Sequence, residues 1–521
     1  MQALRNTRLA GLAVYVRVER LFDAAFGTAR NPLRHLGATG FMLFWWLALS
    51  GIYLYAVLDT SVAGAHRSIQ ALSQGPWAVG GVLRSLHRYS ADAFVLVMGL
   101  HLLREGLHGR YHGFRRHPWL TGVPLLPLVF VCAVGGFWLN WDQLGQFSAV
   151  ASAEWLDHLP LLASSISRNF ISAAAVNDRL FSLFVFIHLG VPLLLVFGLW
   201  FHIQRLNHAQ VFPPRSVALG TSGVLLALAL AQPVLSHPPA DMAVVPTVLA
   251  YDWLLLFIHP LAAASSNNTL WLLLALALLT LLVLPFMPQP APPPVARVDP
   301  VHCSGCRRCM ADCPYAAITM APHPNERLGR LGREMAVVDA DLCAGCGICV
   351  GACPSSTPFR SVAQLVTGID LPQAPVGALR NRLQRQLAAM ASGRRIVAFG
   401  CDHGARVATL AAPDVAPFSL PCVGMLPPSF VEYALRDGAD GVLISGCAEG
   451  ACEFRLGQRW SAERLAGTRE PHLRAHIPAA QWATAWADAS DEDGLRAALQ
   501  QLRRQLDEHV APPSSLEAES A

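Results

Sequence analysis

LRSLHRYSADAFVLVMGLHLLREGLHG, residues 83–109, and RLFSLFVFIHLGVPLLLVFGLWFHIQRLNH, residues 179–208, decide the fold. Each holds an apolar run of the length a bilayer-crossing helix needs, about 20 residues. Each also carries two histidines 14 positions apart: His87 and His101 in the first, His188 and His202 in the second. At 100° per residue, 14 positions fall about 40° short of four full turns, so each pair lies on one helix face, roughly 21 Å apart along the axis. Two antiparallel helices of this kind bring His87 against His188 and His101 against His202. Two facing neutral imidazoles suit a low-spin haem iron that cycles one electron without an open coordination site. A lone buried histidine is explained more simply by a bond to a neighbouring helix. Two pairs at one spacing on two long helices are not.

Working outward, apolar runs predict about six spans, near 36–58, 85–105, 119–139, 180–203, 217–235 and 268–287. A run at 248–262, bounded by Pro246 and Pro260, is too short to cross and reads as a half-buried surface helix. Gly37 and Gly51 in the first span, and Gly122 and Gly136 in the third, repeat the 14-residue spacing. Small residues there let a porphyrin plane approach the helix backbone, although glycines also serve plain helix packing. Residues 1–34 are basic and amphipathic and do not read as a cleavable signal peptide. Arginines gather before the first span, between the second and third, and between the fourth and fifth, which places those loops in the cytoplasm. Six spans then return residue 288 onward, and so both termini, to the cytoplasm.

The 521 residues are 53% hydrophobic and 14% charged, with mean hydropathy +0.38. A soluble protein carries about 25% charge, so the composition predicts a membrane protein. All 39 basic residues are arginine. This excludes a P-loop, Schiff-base or kinase-type lysine. The net charge of +4 is too small to point to nucleic acid. Of 13 cysteines, Cys132 stands alone in the third span and reads as packing, while the other twelve lie beyond residue 300.

On these residues the first half resembles the cytochrome b of quinol-oxidising bc and bf complexes, over roughly residues 20–287. Residues 83–109 look like that family's second helix and 179–208 like its fourth, including Pro192 after the first ligand. GFWLNWDQ at 136–143 is similar to its glycine–aromatic–x–leucine–proline–tryptophan turn, with Asn140 and Asp142 as departures. The resemblance implies two b-type haems, with Arg84 and Arg104 pairing with propionates, and a homodimer by analogy. YDWLLLFIHP at 251–260 looks like a weakened proline–glutamate–tryptophan–tyrosine motif of the family's quinol site. Asp252 then takes the glutamate position, where a carboxylate relays a quinone's proton. The alternative is a plain interfacial polar residue beside Trp253.

After the proline-rich PQPAPPP at 288–294 come two runs of one pattern. They are Cys303-x2-Cys306-x2-Cys309-x3-Cys313-Pro and Cys343-x2-Cys346-x2-Cys349-x3-Cys353-Pro. This is the bacterial two-cluster ferredoxin spacing, in which the fourth cysteine of each run serves the other cluster. One [4Fe–4S] cluster takes Cys303, Cys306, Cys309 and Cys353; the other takes Cys343, Cys346, Cys349 and Cys313. Zinc is the competing reading, but four-cysteine runs with a terminal proline are not its usual signature.

Residues 361–393 read as a helical linker. RRIVAFGC at 394–401 and GADGVLISGC at 438–447 read as strands ending in cysteine, with a helix over Pro428–Arg436 between them. Strand, helix, strand predicts a small α/β domain with Cys401, Cys422, Cys447 and Cys452 near strand ends. Four such cysteines fit a [2Fe–2S] cluster, zinc or free thiols. LPCVGMLPPSFVEYALRDGADGVLISGCAEGACEFRLGQRW resembles the delta (iron–sulfur) subunit of methyl-viologen-reducing hydrogenase, a likeness that covers about residues 394–465. That resemblance implies one [2Fe–2S] cluster and a heterodisulfide-reductase-like flavoprotein partner. Gly404 replaces a cysteine common in that family; His403 is close enough in sequence to be an alternative ligand but reads more simply as a loop residue.

The expected architecture is therefore a membrane all-α helical bundle, then an α+β ferredoxin domain and a small α/β domain. Its boundaries are 1–287 for the di-haem membrane domain, 288–299 for the linker, 300–360 for the ferredoxin domain, 361–393 for the helical linker, 394–505 for the delta-like domain and 506–521 for a disordered tail. The expected role is a membrane-bound electron-transfer subunit of the bacterial cytoplasmic membrane. It links a cytoplasmic flavoprotein, dehydrogenase or hydrogenase subunit to the quinone pool. The alternative is the anchor and relay of a hydrogenase or formate dehydrogenase complex without its own quinone site. The sequence carries no flavin or nucleotide fingerprint.

Overall fold

The computed structural model describes residues 2–73, 79–159, 164–172, 175–244, 248–288, 294–356, 364–390 and 393–510. Most of the chain up to Pro288 forms one compact unit. Gln289 onward, with the short segments Phe26–Ala29 and Arg205–His208, forms the other.

The first unit is helical. After α1 (Gln2–Phe26) come α2 (Leu36–Val57), α3 (Val79–Leu107), α4 (Leu125–Asn140), α5 (Gln143–Leu156), α6 (Asp178–Ile203), α7 (Arg215–Ala231), α8 (Ile258–Ala264) and α9 (Asn267–Val283). Helix α2 packs on α3, and α4 packs on α6. Leu43, Phe44, Leu86 and Phe94 lie in one core cluster, and Trp138, Phe181 and Phe184 in another. At some helix starts a side-chain cap satisfies the first free amides. Asn177 accepts from the amides of Arg179 and Leu180 at the head of α6, and Ser266 accepts from Thr269 at the head of α9.

Among the described residues, four helical segments are long and apolar enough to cross a membrane: Leu36–Val57, Gly113–Asn140, Asp178–Ile203 and Asn267–Phe286. The other two expected spans differ for physical reasons. Helix α3 has ample length, about 43 Å at 1.5 Å per residue, but Arg84, Arg88, Asp92, Arg104 and Glu105 make it too polar. Helix α7 is apolar but has only 17 residues. The third expected span is broken: Arg116–Gly122 and α4 are separate helices, interrupted at Val123 and Pro124. The helix expected over 248–262 is confined to α8. Asp252 turns the chain before it by accepting from the amides of Leu254 and Leu255. Pro246 lies outside the described residues.

In the second unit the ferredoxin-like part pairs β2 (Ile318–Pro322) with β3 (Glu334–Val338), antiparallel, Ile318 opposite Val338. The short strands β1 (Arg297–Val298) and β4 (Ile369–Asp370) pair antiparallel. The expected helical linker is therefore partly strand. Its helix, α10 (Val376–Ala389), begins only after Pro372 and Pro375, which cannot sit inside a helix. Most of the proline-rich spacer and the part of the expected tail beyond Val510 lie outside the described residues, while 506–510, expected to be disordered, continue the last helix.

The last part is a four-stranded parallel sheet in the order β6 (Val415–Leu420), β5 (Ile396–Cys401), β7 (Gly441–Gly446) and β8 (Trp482–Trp486). Helices α11 (Ser429–Arg436), α12 (Gly457–Leu465) and α13 (Glu492–Val510) accompany it. The central strands β5 and β7 are buried along their whole length. That is why they read as continuous apolar runs rather than as alternating ones.

Candidate electron-transfer sites

The four histidines meet in the expected combination. His87 and His188 face each other with ring centroids 6.2 Å apart, and His101 and His202 with centroids 6.5 Å apart. A metal–imidazole bond is about 2.0 Å long, so two rings in line on one metal have centroids about 6.3 Å apart. The observed spacings fit a metal between each pair.

Nδ1 of three of these rings has a hydrogen-bond neighbour among the described residues. His188 donates its Nδ1 hydrogen to the Cys132 carbonyl at 2.9 Å. His87 Nδ1 lies 3.0 Å from Ser50 Oγ, and His202 Nδ1 lies 3.3 Å from Thr121 Oγ1. Holding Nδ1 in this way orients the ring and presents Nε2 to a metal. None of these three partners was singled out in the sequence as a support for a histidine. A signal exists for two: Ser50 and Thr121 each directly precede one of the spaced glycines. Cys132, expected only to pack, also sets its thiol 3.8 Å from His188 Nδ1.

The spaced glycines each sit against an imidazole. A Cβ on Gly37 would come 3.3 Å from His101 Cε1, and one on Gly51 3.2 Å from His87 Cε1. A Cβ on Gly122 would come 2.8 Å from His202 Cε1, and one on Gly136 3.0 Å from His188 Cε1. The glycines make room for the imidazole rings themselves.

The two arginines sit in different settings. Arg84 is buried; its Nη2 bonds Ser236 Oγ at 2.9 Å and Asn140 Oδ1 at 3.3 Å, while its Nη1 has no hydrogen-bond partner among the described residues. A buried guanidinium nitrogen without a partner is costly, and an anionic propionate would satisfy it. Arg104 is instead engaged by Glu19 and Glu105, each at 3.2 Å. Asn140 and Asp142, the departures in the turn after α4, bond each other. Asp142 also accepts from the amides of Gly145 and His237. Asp252 is paired with Arg88, which also binds Asp92 at 2.6 Å. Beyond it, the buried His259 lies 3.0 Å from Ser148 Oγ through Nε2, and burial pulls its imidazole down to about 4.

The eight ferredoxin-type cysteines group crosswise. Cys309 lies near Cys303, Cys306 and Cys353, while Cys313 lies near Cys343. Cys346 and Cys349 are close to both Cys313 and Cys343. A cavity is lined by Cys313, Cys343, Cys346 and Cys349 together with Tyr315 and Ile348. Burial pushes the Cys309 and Cys346 thiols up to about 12. Thiols so buried stay protonated unless a metal takes them as thiolates. Backbone amides of Tyr315, Ala317 and Ile318 point at Cys313 and oppose the rise that burial imposes there.

Cys401 ends β5, Cys422 follows β6 and Cys447 follows β7, so parallel strands deliver three thiols to the C-terminal end of the sheet. Cys401 lies 3.8 Å from Cys447, sulfur to sulfur, and within hydrogen-bonding reach of Cys422; Cys452 reaches the same two. The four close into one sulfur quartet. His403 turns its ring edge-on to Phe454, with centroids 5.2 Å apart, and gives its backbone amide to Cys401.

With this geometry in place, the comparisons divide the chain in the same way. Residues 30–210 match the family model of cytochrome b/b6/petB, residues 302–357 that of the 4Fe-4S dicluster domain, and residues 396–509 that of the methyl-viologen-reducing hydrogenase delta subunit. The three matches follow one another along the chain without overlapping. One solved chain, titled "Hyperthermophilic respiratory Complex III", is similar at 19% identity and a TM-score of 0.38, over 52% of this chain and 80% of that one. Together with the apolar helices, these matches support a membrane-integral electron-transfer subunit.

Proposed function

We propose that this subunit carries electrons between a soluble cytoplasmic redox partner and the membrane quinone pool. The observation that carries the reading is that two facing histidine pairs and twelve grouped cysteines occur in one chain. His87 with His188 and His101 with His202 would hold two b-type haems. Cys303, Cys306, Cys309 and Cys353 would hold one [4Fe–4S] cluster, and Cys343, Cys346, Cys349 and Cys313 the other. Cys401, Cys422, Cys447 and Cys452 would hold a [2Fe–2S] cluster. When bound, these groups supply reversible one-electron chemistry.

The protein's own part is to bind and insulate them. The Cys132 carbonyl fixes the tautomer of His188, Ser50 and Thr121 orient the rings of His87 and His202, Gly37, Gly51, Gly122 and Gly136 give the rings space, and Arg84 offers a buried cation to a propionate. Without a nucleotide fingerprint, the substrate is chosen by a partner subunit: a heterodisulfide-reductase-like flavoprotein, or a hydrogenase or formate dehydrogenase. In this reading the chain lies in a bacterial cytoplasmic membrane with its cysteine domains in the cytoplasm.

A second reading omits a quinone site in this chain, and the state of Asp252 favours it. That carboxylate is committed to Arg88 and to two backbone amides, which leaves it poorly placed to relay protons.

Purification from native membranes with identification of bound subunits tests the proposal. A co-purifying flavoprotein or dehydrogenase, together with haem reduction by a quinol analogue, is expected. Isolation with no redox partner would overturn it, and a partner without quinol-driven haem reduction would select the second reading.

A further inference from the structure

Arg464 is a buried guanidinium, 1% exposed, that serves both cysteine regions of the second unit at once. Its Nη2 binds Asp312 Oδ2 at 2.5 Å, and its Nη1 donates to the Gly424 carbonyl at 2.9 Å. Asp312 immediately precedes Cys313, and Gly424 lies two residues past Cys422. The other Asp312 oxygen takes Arg469 at 2.6 Å, and its backbone carbonyl accepts from Trp460 Nε1 at 3.2 Å. A carboxylate buried between two guanidiniums is a rigid joint, because Asp312 and Arg464 are both left as unpaired buried charges if the pieces part, whereas Arg469 keeps Glu463 at 2.8 Å.

At this joint the two cysteine sites come into contact. A Cβ on Gly457 would stand 2.2 Å from Cys422 Sγ, 3.6 Å from Cys452 Sγ and 3.6 Å from Ile348 Cδ1. A Cβ on Gly424 would stand 2.9 Å from Ile348 Cγ1, and one on Gly351 2.2 Å from the Gly424 carbonyl and 2.6 Å from Arg464 Nη1. Ile348, fully buried, lies between Cys346 and Cys349 in the chain. Glycines therefore let the backbones meet where any side chain would wedge them apart, with Ile348 filling the junction. Cys306, of the remaining cluster, is exposed instead.

We propose that Arg464 is the positioning residue that holds the Cys401/Cys422/Cys447/Cys452 site against the Cys313/Cys343/Cys346/Cys349 cluster, so that one electron passes directly between them. The inference rests on the cluster assignments of the proposed function. In the step one group loses an electron and the other gains it; no bond forms or breaks and no proton moves. The Cys303/Cys306/Cys309/Cys353 cluster is then the outer end of the series, with Cys306 at the surface.

The test is electron paramagnetic resonance on the full chain in detergent, reduced with dithionite, alongside iron and sulfide content. The expected result is mutual broadening of the signals of the two groups. Arg464→Lys keeps a charge for Asp312 but drops the Gly424 contact, and should weaken the broadening at unchanged iron content. Arg464→Met should abolish it. Full cluster content with independent signals in the unmodified chain would overturn the inference and leave the cluster assignments standing. Absence of any cluster at the four-cysteine site would overturn both. Undiminished broadening in Arg464→Lys would remove Arg464 from the role.

Discussion

His188 gives its Nδ1 hydrogen to the backbone carbonyl of Cys132 at 2.9 Å. The acceptor is main chain, so no side-chain substitution at Cys132 deletes it. Cys132→Ala is therefore expected to retain the haem at the His87/His188 pair, with at most a modest shift in its potential. His188→Ala should lose that haem alone. Reduced-minus-oxidised spectra with a haem-to-protein ratio check both: His188→Ala and His202→Ala should each remove about half the b-type absorbance. Loss of all haem in either variant would contradict two separable sites.

The glycine contacts predict an order of tolerance. Alanine at Gly122 places a methyl 2.8 Å from His202 Cε1, too close without movement, whereas alanine at Gly37 places one 3.3 Å from His101 Cε1. Overpacking of this kind costs about 1–3 kcal/mol. Haem retention after purification should fall in Gly122→Ala and Gly136→Ala more than in Gly37→Ala and Gly51→Ala. Equal retention in all four would show that the helices yield freely.

Asp252 has two jobs that substitution can separate. Its Oδ1 accepts from the amides of Leu254 and Leu255 at 3.0 and 2.7 Å, and its Oδ2 pairs with Arg88. Asp252→Asn keeps an oxygen for the turn and loses the charge; Asp252→Ala loses both. Asparagine should lower the Tm less than alanine, whose cost is about 1–3 kcal/mol from the lost acceptor of the turn and the loss of one of the two carboxylates on Arg88. Haem content should hold in both. If Asp252 relays protons, Asp252→Asn must also slow quinol-driven haem reduction. An unchanged rate and pH profile would leave it a structural residue.

The parts most legible in the sequence are those that repeat. The 14-residue histidine spacing and the two cysteine runs each state a geometry twice, and the structure brings those histidines into facing pairs. The parallel sheet was half legible: β5 and β7 stand out as continuous apolar runs, whereas β6 contains Pro417 and β8 reads as tryptophan and small residues. Arg464 was not legible at all. Its partners Asp312 and Gly424 are distant in sequence and carry no periodic signal, and a buried charge shows itself only once the fold surrounds it. The break at Val123 and Pro124 was marked by a proline that the hydropathy of its neighbours outweighed.

His259 makes stability depend on pH with a definite sign. Burial lowers its pKa to about 4, and Ser148 Oγ is its hydrogen-bond neighbour at 3.0 Å. An exposed histidine in the unfolded chain titrates near about 6.5, so between these values the unfolded state binds the extra proton. The contribution is therefore complete above about pH 6.5 and is lost as the pH falls toward about 4, a difference on the order of 3 kcal/mol. His259→Gln, which keeps a polar group near Ser148 and cannot titrate, should flatten that acid-side decline in Tm between pH 7 and pH 5. At pH 7.5 it should cost only what imperfect packing costs. A parallel decline in both proteins would mean that His259 is not the group responsible, and the carboxylates paired with arginine would be the next to replace.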